Sequence, residues 1–383
     1  MSKPRVVLLI SNLAGSNTWA LYKYYLKHYS GDLEILPVFE NELQNNSEVV
    51  NEAKIIVTTF IPIKARKDQV CIQTWHGFPI KSLGILDDVD RNDVDYLTRM
   101  IELSDFWLSY SATYTTIINA CFPHLVENYL LTGMPRNDFL FTDKSFAVQK
   151  LSTLIGLSAE ELMFKRLILY CPTYRSTLRR KDSQISANDL YELINSRIFL
   201  DYLETSQTLL VVKLHPFEEH IASNLERSSK NIFLLRNSDL LLNKIDLYEF
   251  LPAFDLLVTD FSSIYFDWLL LNKPIVFFVP DLYSYSKLRD FLLSPLDFWM
   301  PGVKCKTVEE LIEAVENSLR KDEFKKDRER LKRVVHHYQD GLSCKRVFSA
   351  MEEIINANIR PPQIHIKYCE GLFLPTYSER SLF

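Results

Sequence analysis

Several things are scarce in this chain, and each scarcity excludes something. Only 9 of its 383 residues are glycine, so a glycine beside a functional side chain marks a place where the backbone needs one. Cys71, Cys121, Cys171, Cys305, Cys344 and Cys369 are scattered without CxxC spacing. Neither a zinc site nor a disulfide framework is indicated, and the cysteines read as reduced, mostly buried thiols. Excess positive charge is also missing, since 44 lysines and arginines stand against 49 acidic residues for a net charge of −5. That balance removes any global electrostatic case for nucleic acid. No apolar run approaches the roughly 20 residues that a membrane span requires, and the run near the start is only about six residues long, too short for a signal peptide. The expectation is a cytoplasmic protein that can still touch the inner face of a membrane.

What the chain does contain is apolar bulk, 47% of its residues, and a length that favours two domains over one core. Short apolar runs at 5–11, 33–39, 53–60, 70–75 and 106–111 alternate with helical patterns such as "TWALYKYYLKHY" at 18–29. This alternation predicts βα units around a parallel sheet, continued by the segment leading into "TGMPRND". A second series follows at 166–172, 208–216, 231–236, 254–260 and 274–280. The expected organisation is a Rossmann-like domain over 1–155, a second over 156–355 and an irregular extension over 356–383. Two doubly wound α/β domains facing each other leave a cleft, and ligands bind such sheets at the carboxyl ends of their strands.

The chemistry-bearing residues gather at those strand ends. In "VTDFSSIYFDWLLLNKP" a strand ends at Thr259-Asp260 and a helix begins near Ser262-Ser263, an arrangement that suits phosphate, although a serine there can simply cap the helix. In "VVKLHPFEEH" Lys213 and His215 leave a strong strand on one face before Pro216 stops it. "CPTYRS" brings Thr173 and Arg175 to another strand end, where arginine's planar fork suits phosphate oxygens. "TGMPRNDFL" places Arg136, Asn137 and Asp138 after a rigid turn, either to orient a ligand or to cap the next helix.

Two further features read more plainly. Asp88-Val89-Asp90 and Asp93-Val94-Asp95 have a D-x-D spacing that can hold Mg²⁺ beside a nucleotide diphosphate, but no strand leads directly into them and an acidic loop is the expectation. The segment "SLRKDEFKKDRERLKRVV" (318–335), with a net charge of +4, reads as one solvated helix that could also rest on anionic lipid.

Taken together, "TWHGFPIKSLG", "GMPRND", "CPTYR", "KLHP", "TDFSSIYFDWLLLNKPIVFF" and "DGLSCKRVFSAM" resemble the CDP-glycerol glycerophosphotransferase family of teichoic-acid and capsule enzymes over roughly residues 5–355. The resemblance implies a GT-B architecture and a histidine-glycine pair at His76-Gly77. It makes His76 the general base that takes a proton from an acceptor hydroxyl, a role imidazole suits near neutral pH. Gly77 would let the acceptor approach, and Lys81 joins the acceptor side. His215, Arg175, Thr173, Lys213, Ser262 and Ser263 would hold the donor diphosphate, with Asp260 and Asp267 holding the turn or contacting donor hydroxyls.

The chain departs from the family pattern at Arg289-Asp290, where relatives carry an arginine-glycine-aromatic element, so the polyol is open. It also begins almost at its first strand, which predicts a single transferase unit. The resemblance therefore implies transfer of a polyol phosphate from CDP-glycerol or a related CDP-polyol to a lipid-linked or polymeric glycan acceptor, with release of CMP and with no metal or cofactor. A nucleotide-sugar glycosyltransferase of the same fold, or a module that only binds nucleotide, are the rival readings.

Overall fold

A computed structural model of the chain describes residues 3–60, 62–123, 128–173, 192–215, 218–219, 229–282 and 291–357. The first series of apolar runs forms β1 (Arg5–Ile10), β2 (Glu34–Phe39), β3 (Ile55–Thr58), β4 (Val70–Gln73), β5 (Phe106–Ser109) and β6 (Tyr129–Leu131). They make one parallel sheet in the order β2-β1-β3-β4-β5-β6. Strand alternation sends Val6, Leu8 and Ile10 of β1 into one apolar cluster, and Val7 and Leu9 into another on the opposite face. Both faces are covered, which is why these strands read as continuous apolar runs.

The second series forms β7 (Arg166–Cys171), β8 (Thr208–Val212), β9 (Ile232–Leu234), β10 (Leu256–Thr259), β11 (Ile275–Phe278) and β12 (Val303–Cys305). Its parallel order, β12-β11-β10-β7-β8-β9, is that of a dinucleotide-binding sheet, with the reversal of direction between β7 and β10. The strand β12 falls in "PGVKC", a three-residue edge strand with too little apolar pattern to be expected from sequence.

The helices that frame the site are α1 (Asn17–His28), α2 (Lys144–Ile155), α3 (Ile264–Trp268), α4 (Val308–Arg320), α5 (Lys325–Val335) and α6 (Ser343–Asn356). Helix α1 starts where Ser16 accepts a hydrogen bond from the Trp19 amide and ends with Lys27 and His28 in its last turn, both favourable for a helix of this polarity. The two sheets do not keep separate cores. One cluster runs from Val6 and Ile72 of the first through Leu167, Leu257 and Phe277 of the second. Helix α6, late in sequence, packs back onto α1, with the Phe348 ring 4.5 Å from Tyr29 and the Tyr29 hydroxyl donating to Glu352 at 2.7 Å.

One expectation changes here. The basic segment at 318–335 is two helices, α4 and α5, broken at 321–324. The break lets Asp322 turn back onto Arg328, which is buried and also donates to the Asn272 carbonyl at 3.2 Å. One of the eight cations is thus a core residue instead of a solvated one. In the acidic loop, Asp87 accepts the Val89 and Asp90 amides, Asp90 accepts the Gly84 amide and Asp93 caps the helix Val94–Glu102. Among the described residues, no three His, Cys, Asp or Glu side chains gather to hold a metal ion.

Candidate active site

The carboxyl ends of the two sheets face one cavity of about 350 Å³. From the first sheet it takes Ser11 and Asn12 after β1, Thr59 and Phe60 after β3, and His76 and Gly77 after β4. From the second it takes Pro172 and Thr173 after β7, Lys213 and His215 after β8, and Ser262 and Ser263 after β10. Lys81 also lines it, on a stretch that pairs with Phe291. The cavity therefore lies at the point in each sheet where strand order reverses, the place where open α/β sheets bind ligands.

His76 stands on a strained turn. Trp75, just before it, has φ +57°, a left-handed conformation that costs a bulky residue energy and persists only where the surroundings impose it. Here they do. The Trp75 amide donates to Gln73 Oε1 at 2.9 Å, Asn17 Nδ2 donates to the Trp75 carbonyl at 3.0 Å, and Arg136 Nη1 donates to the His76 carbonyl at 2.9 Å. The imidazole is half-buried, stacked on Phe60 with ring centres 5.5 Å apart and against Trp75 at 4.3 Å.

Gly77 has a structural reason as well. A Cβ on it would lie 2.4 Å from Ser263 Oγ and 2.9 Å from Ser263 Cβ, so the glycine lets the two halves of the molecule meet. Gly77 also lines the cavity beside His76.

Arg136 and Asp267, expected on opposite sides of the site, pair directly at 2.7 Å and are almost wholly buried. Arg136 Nη1 also donates to the Gly15 carbonyl at 2.9 Å, and Nη2 to the Tyr110 hydroxyl at 3.1 Å. The Tyr248 hydroxyl donates to Asp267 at 2.7 Å. Burial works against the guanidinium charge, yet Asp267, Tyr110 and Tyr248 hold Arg136 firmly protonated, above its usual range. Burial likewise raises both tyrosines. Asp267 is fully buried and is not among the residues lining the cavity.

The remaining expected residues fall into place around this centre. Asp138 accepts the Ser343 and Cys344 amides at 2.8 and 2.7 Å, anchoring the start of α6. Asn137 is buried and off the cavity. Asp260 accepts the Thr173 amide at 2.8 Å and the Thr173 hydroxyl at 2.6 Å, so it shapes the loop after β7 from beneath. Lys213 donates to the Leu214 carbonyl at 2.7 Å and to Glu219 at 2.9 Å. Ser262 and Ser263 open α3, and Ser263, at its N-cap, makes no side-chain cap hydrogen bond. Arg175 and Arg289 lie outside the described residues.

Four participants were not anticipated: Asn17, Tyr110, Asp246 and Tyr248. Asp246 reaches from the second half to accept the Gly15 and Ser16 amides at 3.1 and 2.8 Å, at the very start of α1. Its D-x-x-E spacing with Glu249 forms a capping box, a pattern visible in sequence. The long-range contact with α1 was not. Burial pushes this carboxyl up to about 7, against the pull of the amides it accepts.

The model of the CDP-Glycerol:Poly(glycerophosphate) glycerophosphotransferase family matches residues 18–353. The chain belongs to this family. It is 27% identical over 351 residues to a teichoic acid poly(ribitol-phosphate) polymerase of Bacillus spizizenii, covering 87% of this chain and 51% of that protein. It is 27% identical over 295 residues to a teichoic acid ribitol-phosphate primase of the same organism, covering 74% of this chain and 70% of the relative. The glycerophosphotransferase-family chain thus spans about half the length of the first of these relatives.

Among solved structures it is similar to the wall teichoic acid polymerase TagF, with a TM-score of 0.71 and 20% identity over 94% of this chain and 90% of that one. It is also similar to a Staphylococcus aureus MnaA–UDP structure, with a TM-score of 0.56 and 13% identity over 94% and 100% of the two chains. These likenesses carry the fold, a GT-B arrangement of two Rossmann-like domains.

Proposed function

We propose that this glycerophosphotransferase-family protein transfers a polyol phosphate from a CDP-activated donor, CDP-glycerol foremost, to a hydroxyl of a teichoic-acid-type acceptor. The observation that carries the reading is the half-buried His76, held on a clamped left-handed turn in the same cavity as His215, Thr173, Ser262 and Ser263. Family membership supports the donor class, and a TagF variant, similar to this chain at a TM-score of 0.69, was soaked with CDPG.

In this reading the donor lies along the second sheet's strand ends and the acceptor enters past His76. The acceptor hydroxyl gives its proton to His76 as its oxygen attacks the phosphorus bearing the polyol. The bond from that phosphorus to the CMP oxygen breaks, CMP leaves with the electron pair, and a phosphodiester remains. His215 and the hydroxyls of Ser262 and Ser263 donate hydrogen bonds to the charge that departs with CMP, and Arg175 is assigned to the same diphosphate. Most of the gain comes from holding the reactants in line.

The test is CMP release with CDP-glycerol, CDP-ribitol and a set of nucleotide sugars as donors. CMP released from a CDP-polyol, with a phosphodiester found in the product by mass spectrometry, is the expected result; turnover of a nucleotide sugar alone would move the protein to glycosyl transfer. His76→Ala is expected to lower turnover at least ~100-fold with donor affinity nearly unchanged, and near-normal turnover in that variant would remove the histidine from this role.

The acceptor reading also places the protein at the cytoplasmic membrane surface when the acceptor is lipid-linked. Lys325, Lys326, Arg330 and Arg333 are exposed on α5, and each contributes on the order of 1 kcal/mol near anionic lipid. Vesicle co-sedimentation that is lost at high salt, and lost in the Lys325→Glu/Lys326→Glu variant, is the expected outcome. Equal sedimentation with neutral and anionic vesicles would leave α5 an ordinary solvated helix.

A further inference from the structure

We propose that Arg136 is a positioning residue of the active site, tying the turn that carries His76 to the second half of the molecule so that the aim of the imidazole depends on how the two halves meet. The inference rests on the reading of His76 as the general base.

The argument starts from the strain at Trp75. Its left-handed backbone must be imposed from outside, and Arg136 takes part twice. Its amide donates to Asn17 Oδ1 at 3.1 Å, and Asn17 in turn donates to the Trp75 carbonyl. Its guanidinium donates to the His76 carbonyl itself and to the Gly15 carbonyl. The other holder of the turn, Gln73, is local to β4. Arg136 alone among these three continues across to Asp267, which Tyr248 holds from the same side.

The planar fork is what permits this, since it addresses two carbonyls with one nitrogen and a hydroxyl and a carboxylate with the other. Arg136 borders the cavity, but at 3% exposure and with both terminal nitrogens engaged by protein its guanidinium acts on a substrate through His76. The close contact between Gly77 and Ser263 lies one residue further along the same turn, so the second half meets the turn directly at Gly77 and through the Arg136–Asp267 pair at His76.

A bland alternative is that the pair only holds the two halves together. The two ideas part in the double variant Arg136→Met/Asp267→Leu, because a buried ion pair replaced by apolar groups of similar volume commonly keeps the fold. The measurements are the unfolding temperature, CDP-glycerol affinity by calorimetry, turnover, and the imidazole NMR resonance of His76, assigned among the 8 histidines by its loss in His76→Gln. The positioning role predicts a folded double variant with donor affinity within about threefold, turnover lowered at least ~30-fold and a shifted or broadened His76 resonance. Wild-type turnover with an unchanged resonance would overturn it.

Should the double variant not fold, Arg136→Lys carries the test. It keeps the charge opposite Asp267, but a single ammonium cannot hold the same four partners, and turnover is expected to fall about tenfold at unchanged donor affinity. Full turnover in Arg136→Lys would again overturn the proposal. A wild-type protein that turns over no CDP-polyol would instead refute the proposed function, and the His76 resonance would still decide whether Arg136 positions that ring.

Discussion

The two halves of the cavity are built on the same element, a parallel strand running into a helix, and they use it in opposite ways. After β1 the amides of Gly15 and Ser16, which would meet a phosphate in many folds of this kind, are taken by the Asp246 carboxylate from the other half of the chain. After β10 the corresponding turn carries Ser262 and Ser263 and lines the cavity, and Ser263 at the N-cap makes no side-chain cap hydrogen bond. A protein carboxylate thus fills the anion position of the first sheet, and the turn of the second sheet lines the cavity with two hydroxyls. The asymmetry supports assigning the donor to the second half although both halves are parallel six-stranded sheets. It also gives the first half a mechanical task, which is to hold His76 against the second.

The sharpest way to break the comparison is to force the two turns apart. Gly77→Ala puts a Cβ 2.4 Å from Ser263 Oγ, and overpacking at such a site costs roughly 1–3 kcal/mol. Because Ser263 Cβ is also within 2.9 Å, the upper part of that range is expected, read as a lowered denaturation midpoint. Turnover should fall as well, since the shift starts one residue from His76. Ser263→Gly in the same chain removes the opposing atoms and should restore most of the stability. No loss in Gly77→Ala would mean that the halves are not in contact there in solution.

The second test acts on the carboxylate that fills the first anion position. In the unfolded chain Asp246 titrates at its ordinary value of 3.8, and in the folded protein it is pushed up to about 7. Between those values the folded state binds the extra proton, so this group's contribution to stability is full below 3.8 and is lost as pH rises through about 7. From pH 5.5 to 8 the loss is about 2 kcal/mol. Asp246→Asn lacks that dependence, so its stability relative to the wild type should improve steadily from pH 5.5 to 8 in chemical denaturation. A pH-independent difference between the two would place the carboxyl in an ordinary environment and remove it from the interface.

Much of this architecture is legible from local pattern. The run "RVVLLIS" is apolar on both faces because β1 feeds two clusters, and it ends at Ile10, just before the loop residues that line the cavity. His76, His215, Thr173, Ser262 and Ser263 all occupy strand ends, which spacing alone can show. What is not legible is partnership across distance. Arg136 and Asp267 are 131 residues apart, and each looks polar enough to meet a ligand until burial shows that they meet each other. Asp138 looks like a cap for the helix that follows it, and caps α6, 205 residues away. The break between α4 and α5 escaped for the same reason, because a charge-rich pattern does not disclose that Arg328 is buried beside Asp322.

The smallest expected effect is the one that tests the assignment of the donor most directly. Ser16 and Ser262 are both serines at a strand-to-helix turn of the cavity wall, but Ser16 Oγ accepts the Trp19 amide and caps α1, whereas Ser263, at the N-cap of α3, makes no side-chain cap hydrogen bond. Removing a working cap costs about 1 kcal/mol of stability, and removing a hydroxyl that bonds to a charged ligand group lowers affinity by a similar amount, roughly five- to tenfold. The two alanine variants should therefore separate cleanly: Ser16→Ala lowers the denaturation midpoint and leaves CDP-glycerol affinity alone, while Ser262→Ala does the reverse. Calorimetry with CDP-glycerol and a denaturation curve for each variant read both axes. If Ser262→Ala lost stability without losing affinity, its hydroxyl would belong to the fold like that of Ser16, and the diphosphate would have to be sought among the strand ends after β7 and β8.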